Sequence, residues 1–233
     1  LKRCKDLATS INVDHIIAVA TSATREASNG YEFLNRIEAE VGLKVDLISG
    51  QEEARRIYLG VLSGMDFRNQ PHIIIDIGGG SSTFVDALLG NHYSNISVLD
   101  ISSAAIDEAK HRTGSSARNV SWIVGDVLDW NPPNTYRYWN DRAVFHFLVD
   151  PSDQQKYVKT VRDATSSGSH IVIATFSPEG PESCSGLPVQ RWSAEQLSSL
   201  FAEFCTVVSQ TKYEHVTPWG STQSFMRLHL QHR

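Results

Sequence analysis

The sequence has few cysteines and no long apolar run. Cys4, Cys184 and Cys205 lie far apart without metal-ligand spacing, which predicts reduced thiols in a cytosol-like compartment and no structural zinc site. No apolar stretch approaches the roughly 18 to 20 residues that span a bilayer. The first ten residues lack both an initiator methionine and the apolar centre of a signal peptide. These absences predict a cytoplasmic protein with no membrane partner and an N-terminus that is a cut edge.

Long runs of like charge are also missing. The chain of 233 residues has 26 acidic and 21 basic side chains, a formal net charge of −5, so it carries no basic footprint for nucleic acid. The hydrophobic fraction of 41% is enough to fill a core at this length. We therefore expect a globular protein that binds a small molecule or another protein and binds no nucleic acid.

Apolar segments of two kinds alternate along the chain. Short continuous runs are typical of strands buried on both faces, and longer runs with a period near 3.6 are typical of helices packed on them, which predicts an α/β fold with a mostly parallel sheet. Two β-rich runs, 205–214 and 223–231, flank a short polar turn and predict an antiparallel hairpin. The polar connector 63–71 predicts a division into segments 1–70 and 71–233.

A glycine turn follows one predicted strand and opens a predicted helix. In the stretch HIIIDIGGGSSTFVDALL, Asp76 lies at the strand end and Gly78, Gly79 and Gly80 form the turn. Glycines allow the backbone to approach a phosphate or nucleotide, and a carboxylate at the end of the next strand, here Asp100, can bind both ribose hydroxyls. This combination predicts a nucleotide-type cofactor site.

The third strand end supplies GDV, residues 125–127. Asp126 can accept a hydrogen bond from the exocyclic amine of an adenine, and Val127 offers its backbone N–H. The alternative is that Asp100 and Asp126 only cap the helices that follow them. The glycine turn beside them favours the cofactor site.

Residues 72–233 resemble the class I S-adenosylmethionine-dependent methyltransferases. The matching segments include IIIDIGGGSSTFVDALL, SVLDISSAAIDEAKHRTG, WIVGDVLDW, DRAVFHFLVD and HVTPWGSTQSF. The resemblance implies a Rossmann-like domain with a seven-stranded, mostly parallel sheet and S-adenosyl-L-methionine as cofactor. It assigns the methionine end of the cofactor to Asp76, Gly78 and Gly80, the ribose to Asp100, and the adenine to Asp126 and Val127, with Gly79 and Ile101 also in the site.

The same resemblance places Asp141, Arg142 and His146 near the sulfonium as catalytic candidates. Among them His146 is the residue type best suited to act as a base, and its alternative role is a packed histidine bonded to backbone. Arg142 can bind a substrate carboxylate or form a local ion pair with Asp141. Asn140 stands where relatives commonly have histidine. The run RAVFHFL, residues 142–148, is predicted to be a strand.

A long loop, PEGPESCSGLPVQRW, follows a predicted strand at the carboxyl edge, where substrates enter. We expect acceptor recognition there, with Cys184, Ser185 and Arg191 as candidates. The methyl acceptor itself is left open between a carboxylate, an amine, a thiol and a protein side chain.

The first 80 residues resemble a different family, the exopolyphosphatase and guanosine pentaphosphate phosphohydrolases (Ppx/GppA) of the actin-like ATPase superfamily. The matching segments are AVATSATREASNGYEFLNRIEAEVGLKVDLISGQEEARRIYLGV and IIIDIGGGSS. The resemblance places phosphate near Thr21, Ser22, Arg25, Asp76, Gly78 and Ser81, and makes Glu53 the base toward water. Without it, Glu52 and Glu53 would simply favour the positive end of a helix. The first glycine loop of that family is missing, so Arg25 and Glu53 are expected to be vestigial.

The two resemblances meet at IDIGGGSS, which predicts a recombined or engineered chimera. We expect a complete methyltransferase domain with a small βαβα appendage, whose cut sheet edge also invites pairing into a homodimer. Three functions follow in order of preference: methyl transfer, with cofactor binding retained better than turnover; a chimera that binds only the nucleoside; and phosphohydrolysis.

Overall fold

The computed structural model describes residues 2–10, 16, 18–20, 24, 28–47, 74–80, 82–216 and 222–233. The chain divides into a smaller unit, Leu1–Gly60 with Val216–Thr222, and a larger unit, Val61–His215 with Gln223–Arg233. The predicted connector 63–71 lies outside the described residues. Within these described ranges, no helix is long and apolar enough to cross a membrane.

In the described part of the smaller unit there are two helices and two short strands. They are α1 (Lys2–Ser10), β1 (Ala18–Ala20), α2 (Gly30–Val41) and β2 (Val45–Leu47), and β1 pairs with β2 in parallel. Helix α2 ends where Gly42 takes the left-handed conformation, φ 64°, and donates its N–H to the Glu38 carbonyl across 2.9 Å. Lys5 Nζ donates to the Val41 carbonyl across 2.7 Å, which ties α1 to the end of α2.

The larger unit alternates strands and helices around one sheet. Its elements are β3 (Ile74–Ile77), α3 (Phe84–Gly90), β4 (Ile96–Asp100), α4 (Ser103–Thr113), β5 (Val120–Val124), β6 (Tyr138–Arg142), α5 (Pro151–Ala164), β7 (His170–Phe176), β8 (Ser183–Cys184), β9 (Leu187–Pro188), α6 (Ala194–Phe201), β10 (Cys205–Val216) and β11 (Thr222–His232). The seven-stranded sheet has the order β10-β11-β7-β6-β3-β4-β5. Strands β3 to β7 pair in parallel and β11 runs antiparallel to β7, which confirms the predicted fold.

The two faces of this sheet differ in chemistry. On the core face, Ile75, Trp139, Ile171 and Leu230 lie side by side across four strands and pack with side chains of α5 and α6. Because side chains alternate along a strand, the neighbouring residues point the other way. We call that side the Asp76 face; it carries Asp76, Asn140, Arg142, Ala174 and Arg227. The alternation therefore separates the aromatic core from a second face on which Asp76, Asn140 and the two arginines lie among buried apolar residues.

The structure corrects two local predictions. The run 142–148 is not a continuous strand: β6 ends at Arg142, Ala143 adopts φ 71°, and Phe145–Phe147 form a 3-10 turn. The long loop after β7 is not irregular throughout, since β8 and β9 form a small antiparallel hairpin with Ser185 and Gly186 at its tip.

Candidate functional site

The glycine turn follows β3 at the carboxyl edge of the sheet. Gly78 has φ 68°, and a Cβ at this position would overlap the Val144 side chain. Both facts require glycine, because other residues rarely adopt this φ and none would fit beneath Val144. The Gly78 N–H donates to the Leu99 carbonyl across 2.7 Å, which ties the turn to β4.

Asp100 holds the glycine turn from the neighbouring strand. Its Oδ2 accepts a hydrogen bond from the Gly80 N–H across 3.0 Å, and its Oδ1 accepts from the Ser102 N–H across 2.8 Å. The Ser102 hydroxyl in turn accepts from the Ala105 N–H at the start of α4. Each carboxylate oxygen has a second lone pair directed elsewhere, so Asp100 orders the edge and still has acceptors for a ligand.

The third strand end completes a row of carboxylates. Asp126 Oδ1 accepts from the Leu128 N–H across 2.9 Å, and the Gly125 N–H donates to the Asp100 carbonyl across 3.0 Å. Val127 is buried, whereas the Ile101 side chain is 71% exposed just beyond β4. The structure thus brings the predicted cofactor residues of β3, β4 and β5 to one edge, and their binding roles stay predictions.

Asp76 is buried beneath the turn and has a single side-chain partner among the residues that the structure describes. Asn140 Nδ2 donates to its Oδ1 across 2.6 Å, while Oδ2 has no partner among the described residues. Burial raises the pKa of Asp76 to about 7, against the lowering effects of the Asn140 hydrogen bond and the Arg142 charge. This unsatisfied carboxylate can bind a cationic group, as the predicted methionine end of the cofactor would supply.

Asp141 points into the core, away from Asp76. Its Oδ1 accepts from the Val144 N–H across 2.8 Å, and its Oδ2 accepts from the Phe145 N–H and, across 2.5 Å, from the Tyr157 hydroxyl. Burial raises its pKa to about 6, and these three donors limit the rise. Asp141 therefore holds the turn after β6, while the catalytic role predicted for it stays untested.

His146 is fully buried in that turn. Its ring packs against Phe147 and Phe176, with centroids 4.5 and 4.6 Å away, and neither ring nitrogen has a partner in the described part of the chain. Burial lowers its pKa to about 4, so the imidazole is neutral at pH 7. A neutral ring has the free lone pair that a base requires, and the catalytic role of His146 stays a prediction.

Arg142 and Asp141 do not form the local ion pair that was the alternative for this sequence. Consecutive residues of β6 face opposite sides of the sheet, so the Asp141 carboxylate lies in the core while Arg142 is exposed on the Asp76 face. The Arg142 guanidinium is thereby left available on the side where Asp76 lies.

The candidates in the loop after β7 engage the loop itself. Arg191 Nη2 pairs with Glu182 Oε1 at 3.0 Å, and Nη1 donates to the Gly180 carbonyl across 3.4 Å. Cys184 lies in β8, with Ser185 beside it at the hairpin tip. Of the residues assigned to the phosphatase resemblance, Thr21, Ser22, Arg25, Glu53 and Ser81 lie outside the described residues.

Sequence reasoning missed two contributors to this edge. Asn140 was noted only as a departure from a pattern, yet its amide is the hydrogen-bond donor to Asp76. Arg227 lies far away in sequence, but β11 places it on the Asp76 face beside β7. The register of strand pairing places Asn140 beside Asp76 and Arg227 in the row of Arg142. From the sequence, only the two-residue spacing of Asn140 and Arg142 could have indicated that Asn140 and Arg142 share a face.

Comparison with known proteins finds two different families along the chain, and their matches overlap over residues 74–96. The family model of the Ppx/GppA phosphatase family matches residues 1–96, and the model described as a methyltransferase domain matches residues 74–168. A bifunctional 3-dehydroquinate synthase/phosphatase from Fusobacterium nucleatum is 41% identical over 83 residues, which are 35% of this chain and 12% of that protein. The chain thus spans only a small part of this curated relative. The matches fit a fusion of two segments.

Solved structures agree with the fold of the larger unit. The N-methyltransferase NodS from Bradyrhizobium japonicum, in complex with S-adenosyl-L-homocysteine, is 17% identical with a TM-score of 0.59 over 78% of this chain and 86% of that one. An S-adenosylmethionine-dependent methyltransferase from Methanosarcina mazei is 14% identical with a TM-score of 0.62, over 74% and 96%. One from Clostridium acetobutylicum is 10% identical with a TM-score of 0.61, over 86% and 98%. The fold is that of class I methyltransferases.

Proposed function

We propose that this protein binds S-adenosyl-L-methionine at the carboxyl edge of β3, β4 and β5 and transfers its methyl group to an acceptor. The observation that carries the proposal is the bond between Asp100 and the Gly80 N–H, which joins a glycine turn to a carboxylate on the next strand. The family match over 74–168 and the cofactors bound by structural neighbours support it.

The residues present fit this cofactor. The orphaned Oδ2 of Asp76 suits an ammonium group, the remaining lone pairs of Asp100 suit two ribose hydroxyls, and the exposed Ile101 offers an apolar surface to a purine. Asp126 lies next along the edge and suits an exocyclic amine. When bound, S-adenosylmethionine supplies a methyl group on a sulfonium.

The chain's own residues would act by alignment. Methyl transfer is an in-line displacement in which the acceptor forms a bond to the methyl carbon while the electron pair of the breaking bond stays on sulfur, so positioning is the main requirement. Val144 covers the Gly78 turn and fixes its shape. His146 is the candidate base by residue type, but burial lowers its pKa to about 4 and makes it a weak proton acceptor at pH 7.

Calorimetric titration with S-adenosylhomocysteine tests the proposal. We expect wild-type protein to bind and Asp100→Ala to bind at least about tenfold more weakly, since hydrogen bonds to a charged group are lost. Asp107→Ala is the matched control, because Asp107 is an exposed carboxylate on α4 that pairs only with Lys110 among described residues. Absence of heat with wild-type protein contradicts the proposal.

Two further measurements separate the alternatives. Binding of S-adenosylhomocysteine without methyl transfer to any offered acceptor favours a chimera that only binds the nucleoside. Release of phosphate from polyphosphate favours the phosphohydrolase, to which the family match over 1–96 points.

A further inference from the structure

Two arginines flank an alanine on the Asp76 face. Arg142 of β6 and Arg227 of β11 both pair with Ala174 of β7, one from each side, so the three residues form one row across three strands. Because adjacent strands are about 4.8 Å apart, the two arginine backbones are separated by about 10 Å. The Ala174 side chain between them is small and buried.

Little counter-charge faces the two arginines in the described part of the chain, apart from the buried Asp76 carboxyl, whose pKa the Arg142 charge lowers. No ion pair joins Arg142 or Arg227 to another described residue. Asp141 faces the core, and Asp76, the carboxylate one row away on the same face, is fully buried. Like charges held together without a counter-charge are unfavourable unless an anion binds between them.

An aromatic pair holds Arg227 in place. The Arg227 guanidinium lies over the Tyr213 ring, 6.0 Å from its centroid, and Tyr213 stacks on Phe225 at 5.5 Å. Burial raises the pKa of the Tyr213 hydroxyl, whereas the positive charges of Arg142 and Arg227 both lower it. The charges of both arginines thus reach the Tyr213 hydroxyl, which is a further hydrogen-bond donor on this side of the sheet.

This row is level with the glycine turn. Asp141 pairs with Ile77, and Arg142 and Gly78 are the residues that directly follow this last pair of β6 and β3. A molecule held between the arginines over β7 would reach sideways toward the turn, where the proposed cofactor lies.

We infer that Arg142 and Arg227 bind the anionic group, a carboxylate or a phosphate, of the methyl acceptor, which makes the acceptor a small acid. That the bound anion belongs to a methyl acceptor rests on the proposed function. The anion site itself rests only on the row of Arg142, Ala174 and Arg227. The loop after β7 stays a predicted recognition surface beside it, with Arg191 paired to Glu182 within that loop.

Saturation-transfer NMR on the full chain, with and without S-adenosylhomocysteine, tests the anion site. The probes are phenylacetate and phenyl phosphate, with phenylacetamide as the uncharged analogue. We expect one or both acids to bind and the amide to give no signal. Arg142→Gln and Arg227→Gln are each expected to weaken binding about tenfold, the loss typical of one charge-assisted hydrogen bond.

Arg162→Gln is the matched control, since Arg162 lies on α5 and pairs with Glu203. Arg142→Lys, which keeps the charge, distinguishes a lost binding group from misfolding and is expected to retain most of the binding. The inference is overturned if acid and amide bind equally, if neither acid binds, or if the glutamine variants are indistinguishable from Arg162→Gln.

If S-adenosylhomocysteine binds under any of these results, the proposed function stands alone. If the acids bind through the arginines but S-adenosylhomocysteine does not bind, the anion site stands and the proposed function fails.

Discussion

Asn140 Nδ2 lies 2.6 Å from Asp76 Oδ1 and donates a hydrogen bond across β6 and β3, directly beneath the glycine turn. It is the one side-chain donor to Asp76 among the described residues, and Asp76 Oδ2 remains without a partner there. The amide thus favours the ionised form of a carboxylate whose pKa is raised mainly by burial.

Replacing Asn140 by leucine should weaken both the fold and the cofactor site. The buried Asp76 carboxyl would lose its hydrogen bond, which typically costs about 1–3 kcal/mol in the free energy of unfolding, and its pKa would rise further. We expect weaker binding of S-adenosylhomocysteine at pH 7, measured by calorimetry. Asn140→His, which restores a ring N–H donor, should recover part of the affinity. Equal binding by the leucine and histidine variants would show that this hydrogen bond does not support the site.

Replacing Asp76 by asparagine should change the pH dependence of stability. The pKa of Asp76 is raised to about 7 in the native state from 3.8, so its stabilising contribution is present below pH 3.8 and is lost as the pH rises toward 7. We expect the advantage of Asp76→Asn in urea unfolding to be larger at pH 8 than at pH 5. The exposed Asp107→Asn serves as control. A constant difference across this range would mean that Asp76 does not titrate there.

The same carboxylate should make cofactor binding depend on pH. An ammonium group binds the ionised form of Asp76, so affinity for S-adenosylhomocysteine should rise between pH 6 and pH 8 as the carboxyl loses its proton. Calorimetry at several pH values measures this, and the dependence should flatten in Asp76→Asn. A wild-type affinity that is constant with pH would separate Asp76 from the cofactor.

His146 should make the fold sensitive to acid. Burial lowers its native pKa to about 4 from 6.5, so the stability it contributes is present above pH 6.5 and is lost as the pH falls toward 4. His146→Phe should reduce that loss, measured by urea unfolding between pH 7 and 4.5. Part of the slope should remain, because burial also lowers the pKa of His229 to about 4. His111→Gln, at an exposed position, is the control and should keep the wild-type change of unfolding free energy with pH. If His146→Phe shows the same change as this control, His146 is not a source of the acid sensitivity.

Tyr157→Phe should destabilise the core. The Tyr157 hydroxyl accepts from Trp139 Nε1 across 3.0 Å and donates to Asp141 Oδ2, and both partners are buried. Its removal leaves a donor and an acceptor less satisfied, so we expect a loss of about 2–4 kcal/mol in the free energy of unfolding. Tyr31→Phe, at an exposed ring of α2, should have little effect. A small loss in Tyr157→Phe would mean that Asp141 is held by its backbone donors alone.

The parts of the fold that were predictable are those encoded by neighbouring residues. The apolar runs indicated the strands, and the glycine turn with Asp100 and Asp126 indicated one edge, because parallel strands end together. The prediction of a strand over 142–148 was wrong. Its apolar pattern suits a strand, but the Asp141 carboxylate accepts hydrogen bonds from the Val144 and Phe145 N–H groups and closes a turn there. The Asp141 carboxylate also accepts from the Tyr157 hydroxyl of α5, a contact that the local pattern does not encode. The pairing of Asn140 with Asp76 and the row of Arg142 and Arg227 depend on strand register, which one sequence does not encode locally.

The double engagement of Asp100, with Gly80 on one side and Ser102 on the other, has a thermodynamic consequence. The Asp100 carboxylate already holds the glycine turn, the end of β4 and the first residues of α4 in place. Binding of a ligand there would therefore cost the protein little conformational entropy. Association at this edge should therefore be fast, resembling docking onto a rigid surface, and affinity differences among variants of the edge should appear mainly in dissociation rates.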